Sequence, residues 1–173
     1  YYAAKKDPKA VKEYETLLKS EKYKAYASKA LGDYYFDKKD LAKSKKYYGT
    51  YVSVNKNPDE YVLYRLGQAN EKENNLKMAL ADYKLVYEKK GKLAEDAMLR
   101  AAEIYDRQEN NVEAEKLFTK LYATKGNKDL KAYSIEKLIY YKLLNEKTKE
   151  AKKYYDELKK LDVKRAEKFK AYF

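Results

Sequence analysis

The 173 residues carry 40 lysines and arginines against 28 acids, a net charge of +12, and include no cysteine, histidine or tryptophan. That removes disulfides, thiolate nucleophiles, imidazole bases and the usual zinc ligands together, so no metal, cofactor or catalytic site is expected. Charged residues make up 39% and mean hydropathy is −0.98, a balance that suits disorder, but 22 tyrosines and a regular Leu, Ala and Ile pattern supply apolar faces along the whole chain.

From the N-terminus, the first helix is expected at Pro8, with Asp7 as its cap, and it carries Ala10, Tyr14 and Leu17 on one stripe. Leu31, Gly32 and Tyr35 mark a second helix, broken near Lys39 and Asp40, and Ser44, Tyr48 and Tyr51 a third. Gly49 lies inside that third helix at a cost of about 1 kcal/mol relative to Ala; close approach of a neighbouring helix is the expected reason. Pro58 reads as a first helical position, with Asn57 as its cap and Glu60 closing a capping box. Leu66, Gly67 and Asn70 follow on this helix, then Ala79, Tyr83 and Val86 on the next, which Gly91 should end. Ala101, Ala102 and Tyr105, then Ala114, Phe118 and Leu121, form another pair, closed by Gly126. After a longer loop over Gly126 to Lys131 come Leu138, Ile139 and Lys142, then Ala151, Tyr155 and Leu158. Asp162 is placed to cap a last helix with Val163, Ala166, Phe169 and Phe173 on one stripe. The longest apolar run, such as 138–141, is far below the roughly 20 residues that span a bilayer as a helix.

A small residue followed four positions later by an aromatic thus recurs at Ala10, Ser44, Ala79, Ala114 and Ala151, at intervals of 34, 35, 35 and 37 residues. A period in this range signals stacked helix pairs, none of which buries its apolar face alone. Leu31-Gly32-x-x-Tyr35, with a small residue nine positions on and an aromatic four further, resembles the tetratricopeptide repeat (TPR), and the later units match with Asn70 and Lys142 as departures. The resemblance implies an all-α, TPR-like α–α superhelical solenoid of antiparallel helix pairs, about ten helices in one domain over 1–173. Its parts are a half repeat at 1–24, repeats at about 25–59, 60–94, 95–131 and 132–161, and a terminal helix at 162–173. In this register Tyr1 falls at the end of a first helix A, so a segment of a longer array is expected. Gly32, Gly67 and Ala102 then sit where the two helices of a pair approach most closely, Ala79, Ala114 and Ala151 answer them from helix B, and the aromatics fill the gaps between units. Tyrosine in place of phenylalanine should let each hydroxyl reach water at the edge of the stack.

Function follows from the resemblance only as a class: a non-enzymatic scaffold that binds a protein or peptide on the concave wall made by the helices A. By register that wall holds Tyr26, Lys29, Asp33 and Phe36, then Tyr61, Tyr64, Gln68 and Glu71, then Asp96, Leu99, Glu103 and Asp106, and finally Tyr133, Glu136, Tyr140 and Leu143. The tyrosines are the expected anchors, and Lys29, Lys72 and Arg107 should select acidic side chains nearby. The third wall residue of each unit, Asp33, Gln68, Glu103 and Tyr140, does not match the Lys and Asn clamp of the TPR subfamily that takes chaperone C-termini. Catalysis would have to rest on carboxylates a turn apart, Asp33 with Asp37 or Glu103 with Asp106, and exposed carboxylates are poor acid–base pairs. The alternative is a basic helical-repeat module for nucleic acid or another acidic polymer or surface. Cut at the repeat boundaries, however, the charge runs +3, +3, +2, −1 and +5, and the second wall residue of each unit, Lys29, Tyr64, Leu99 and Glu136, is not the short polar reader that an RNA-reading repeat uses. Residues 94–105, Ala-Glu-Asp-Ala-Met-Leu-Arg-Ala-Ala-Glu-Ile-Tyr, look like the repeats of bacterial envelope scaffolds of the Tol-Pal-associated coordinator and outer-membrane assembly lipoprotein type. That likeness implies a periplasmic or envelope-facing protein, with a cytoplasmic adaptor as the alternative.

Overall fold

A computed structural model describes residues 8–124 and 127–173. Among them are ten α-helices and a closing 3₁₀ segment: α1 Pro8–Leu17, α2 Glu21–Asp37, α3 Leu41–Val54, α4 Glu60–Lys72, α5 Leu76–Glu88, α6 Ala94–Arg107, α7 Asn111–Tyr122, α8 Lys128–Leu144, α9 Thr148–Leu161, α10 Val163–Ala166 and the 3₁₀ segment Glu167–Tyr172. They divide into two compact units, Tyr1–Ala97 and Met98–Phe173. Asp7 as a cap, Tyr1 as the end of a helix and Gly126 as a helix stop lie outside the described residues.

Four pairs, α2/α3, α4/α5, α6/α7 and α8/α9, are joined by three-residue turns, short enough to force antiparallel neighbours. Every turn is built alike. Its middle residue is left-handed, at Lys39, Asn74, Glu109 and Glu146 with φ of 62°, 59°, 57° and 59°. The next N–H reaches back five residues, as in Asp40 to the Tyr35 carbonyl at 2.9 Å and Lys147 to that of Lys142 at 2.8 Å. This is the Schellman closure that glycine ordinarily serves, here carried in all four turns by residues with a Cβ, and it is why glycine spacing does not mark these turns.

The first unit is held by its repeated small and aromatic residues. Ser44, Tyr48, Ala79, Tyr83 and Val86 are all fully buried. A Cβ on Gly32 would lie 2.3 Å from the Tyr48 ring, and one on Gly67 would lie 2.8 Å from that of Tyr83, so hydrogen at these positions is what lets the ring fit between the helices. The buried Ser44 hydroxyl donates to the Gly32 carbonyl at 3.1 Å. The tyrosine hydroxyls do not end in water as expected: Tyr48 donates to Asp33 at 2.7 Å and Tyr83 to Glu71 at 2.8 Å. Asn70 pairs with Asp82 at 2.8 Å, both buried between α4 and α5, which explains an asparagine at a position where aromatic packing is usual.

The second unit buries Ala114, Phe118, Leu121, Ile135, Ile139, Ala151, Tyr155 and Leu158 on facing stripes. Tyr122 and Tyr154 meet edge to face at 5.6 Å.

Several local expectations are corrected. The helix after Pro58 begins at Glu60 with Asp59 as its cap, bonding the Tyr61 N–H at 2.8 Å. Asn57 instead accepts from Lys89. Glu60 closes no capping box; it accepts from the Lys92 N–H at 3.2 Å, and Gly91 leaves space for that carboxylate, since a Cβ there would fall 1.9 Å from it. At the end of α5 the left-handed residue is Lys90, not Gly91. Helix α8 starts at Lys128, inside the segment read as loop, because the Asn127 side chain caps it through the N–H groups of Asp129 and Leu130 at 2.9 and 3.1 Å. Asp162 does cap the last helix, through Arg165 at 3.0 Å. That helix holds for only four residues before tightening to 3₁₀, so Ala166 and Phe169 turn inward while Val163 stays exposed.

Gly49 is also corrected: it is exposed, and a Cβ there would meet nothing within 4 Å. No packing reason for glycine exists within the described residues. Gly49→Ala should therefore stabilise the protein by about 0.5–1 kcal/mol, the helix-propensity difference. Denaturant titration checks it, and a loss of stability would mean that something does contact this face.

Candidate partner-binding surfaces

In the first unit, α2 and α4 place the expected wall residues side by side, but much of their charge is already engaged. Lys29 is bound to Asp59 at 2.7 Å. Burial works against both charges, yet the pairing outweighs it, raising the lysine pKa and, with the Tyr61 N–H, lowering that of Asp59. The centre of this surface is Arg65, a residue absent from the register positions. Its guanidinium carbon lies 4.5 Å from the rings of both Phe36 and Tyr61, and it bridges Asp37 at 3.0 Å and Asp33 at 3.6 Å. An arginine stacked between two rings and tied to two carboxylates is preorganised, not mobile. Lys72 lies over the same Phe36 ring at 5.4 Å. Tyr64 leans on the buried Tyr83 at 5.6 Å, so it belongs as much to the core as to the surface. Tyr26 is 46% exposed, with its ring against Tyr14 at 5.8 Å, and Gln68 is half-buried.

A signal for Arg65 was available. Ion pairs between successive pairs of helices join residues 27 to 32 positions apart, a repeat less about one turn: Lys29 with Asp59, Arg65 with Asp37, Lys45 with Glu73, Lys137 with Asp106, Lys142 with Glu115, and Arg165 with Glu136. Opposite charges at that spacing point to such ties.

In the second unit, residues of α6, α8 and the closing 3₁₀ segment line an open groove of about 670 Å³. Arg107, Tyr133 and Tyr140 converge there, joined by Leu144 and Phe169, which the register did not name as wall. Tyr140 and Leu144 are 51% and 52% exposed. Tyr133 packs edge-on against the buried Phe118 at 5.7 Å, and burial raises its pKa. Two of the acids of the groove are matched from within. Asp106 accepts from Lys137 and from the Tyr141 hydroxyl, and Glu136 lies between Arg165 at 3.0 Å and Lys168 at 2.8 Å. What is offered to a ligand is aromatic and aliphatic surface rimmed by fixed charge. Leu99 and Glu103 are half-buried on α6 and outside the groove lining.

Among the described residues no group of three carboxylates is placed to hold a metal ion, and no helix is long and apolar enough to cross a membrane. No protein family model and no curated protein matches the sequence. Solved structures do. A crystal structure of MamA superposes with a TM-score of 0.64 at 17% identity, covering 91% of this chain and 90% of that one. The nearly identical TPR-like repeats of a Podosopora anserina protein described as kinesin light chain give 0.63 at 14% identity, covering 90% and 83%. At this identity the likeness concerns the fold, which is the all-α, TPR-like solenoid of helix pairs.

Proposed function

We propose that the protein is a non-enzymatic scaffold that docks a protein or peptide segment on its helix A surfaces. The carrying observation is the groove of the second unit, where Tyr140 and Leu144 stay half exposed above anchored charges. Rigid amphipathic rings of this kind give contact area at low entropic cost, and central aromatic anchors dominate binding energy. The wall carboxylates that could have served acid–base chemistry, Asp33, Asp37 and Asp106, are engaged by Arg65 and Lys137, which supports a scaffold over an enzyme. A cell-envelope setting is part of the proposal and rests on the style of residues 94–105; fractionation of the native host tests it.

The groove is tested by crosslinking to partners from the native source and mapping the joined residues. Tyr140→Ala with Leu144→Ala should weaken the captured complex by more than about 2 kcal/mol without changing the helical signal. Tyr61 with Tyr64 is the corresponding probe in the first unit, although loss of Tyr64 should also cost stability through Tyr83. Crosslinks that avoid both surfaces, with affinity unchanged in both double variants, would remove the helix A proposal.

A further inference from the structure

Helix α9 divides its residues cleanly. Ala151, Tyr155 and Leu158 are buried, while Lys149, Lys153, Lys159 and Lys160 are exposed. At 3.6 residues per turn Lys149, Lys153 and Lys160 fall on one stripe opposite the buried three, and Lys152 and Lys159 lie together on its flank. Asp156 lies between stripe and flank, paired with Lys152, and Glu157 borders the stripe on its other edge. Among the described residues Lys149, Lys153, Lys159 and Lys160 take part in no ion pair. Neighbouring acids are engaged elsewhere: Glu150 and Glu115 with Lys142, and Glu157 with Lys131 and the Tyr122 hydroxyl. Lys153 and Lys160 act on Glu150 and Glu157 at longer range, which helps to hold those carboxyls below their ordinary values. Like charges one turn apart repel, and along this stripe the repulsion is offset only by those longer-range attractions.

The composition of the face selects among anionic partners. The outward stripe has no arginine for bidentate capture of a phosphate or carboxylate and no amide side chain to read a base edge; the partly exposed ring on its flank, Phe173, is held against Tyr155 and under Lys152 rather than offered to an unpaired base. Four ammonium groups outside any ion pair, those of Lys149, Lys153, Lys159 and Lys160, spread over about 16 Å of helix and act as point charges without directional demands. A flat, laterally mobile array of anionic headgroups meets such a row all along its length, and clusters of four to eight lysines on an amphipathic helix are of the size that binds one. We propose that the outer face of α9 docks on a membrane surface rich in anionic lipid. The surface uses none of the residues of the helix A groove and does not depend on that reading.

The test is co-sedimentation of the full chain with phosphatidylcholine vesicles, with and without phosphatidylserine, at low and high salt. Binding should require the anionic lipid and weaken with salt. Lys149→Glu, Lys153→Glu and Lys160→Glu combined should reduce it at least about tenfold. Lys12→Glu, Lys56→Glu and Lys77→Glu combined change the net charge equally at exposed positions of the first unit, and binding should persist. If the first set alters the circular dichroism, the same three positions are changed to Gln. No binding to anionic vesicles, or equal loss in the two variants, would overturn the proposal. So would tighter α9-dependent binding to duplex DNA or to polyglutamate, which would assign the face to nucleic acid or to an acidic protein.

Discussion

Gly32→Ala should destabilise the protein by about 2–3 kcal/mol, although in a helix alanine is intrinsically favoured over glycine by about 1 kcal/mol. The added methyl would lie 2.3 Å from Cδ1 and 2.5 Å from Cε1 of Tyr48, a separation no real contact has. The ring cannot retreat easily, being fully buried, with its hydroxyl on Asp33 at 2.7 Å. Either helix α3 moves away from α2 or the tyrosine leaves its site, and overpacking of this kind outweighs the propensity gain. In a Tyr48→Leu background, which is itself less stable, the same Gly32→Ala change should cost much less, because the colliding ring atoms are gone. Urea denaturation of the four proteins in this cycle measures the coupling directly. An additive result would show that helix A and helix B are not in contact here. The comparison with Gly49→Ala is useful, since the same substitution in the same pair of helices, at a position where a Cβ meets nothing, is expected to have the opposite sign.

Asp82→Asn should stabilise the protein by about 2 kcal/mol near pH 7.5 and have little effect near pH 4. The carboxyl is 6% exposed, and burial raises its pKa to about 6, opposed only by the hydrogen bond from the Asn70 amide. Its unfolded value is about 3.9, so the native state binds the proton more tightly than the unfolded chain. The contribution is therefore fully present below about pH 4 and is lost as pH rises through about 6; at 1.36 kcal/mol per unit the span amounts to about 2–3 kcal/mol. An asparagine can still accept from Asn70 and does not titrate. Asp59, Glu150 and Glu157 have lowered pKa values and lose their stabilising effect toward acid, so the whole-protein profile mixes both signs. The difference between wild type and variant across pH isolates Asp82, and a difference that stays constant from pH 4 to 7.5 would place the carboxyl in water.

What the amino-acid sequence determined by itself was the repeat: the small residues at 44, 79, 114 and 151, the aromatics four positions on, and the close-packing glycines at 32 and 67. These are legible because helix–helix contact recurs with the period of the helix pair, and only small residues tolerate it. Tertiary structure decided what depends on partners from the neighbouring helices. It tied the tyrosine hydroxyls and Lys29 to carboxylates, placed Arg65 between Phe36 and Tyr61, and gave Glu60 to the loop at Lys92 rather than to its own helix end. It also set left-handed turns at Lys39, Glu109 and Glu146 without glycine, since closure by backbone hydrogen bonds can hold a conformation that local propensity disfavours. Periodicity names the residues that face inward; which charge meets which, and so which side chains remain available to a partner, is fixed only when the helices pack.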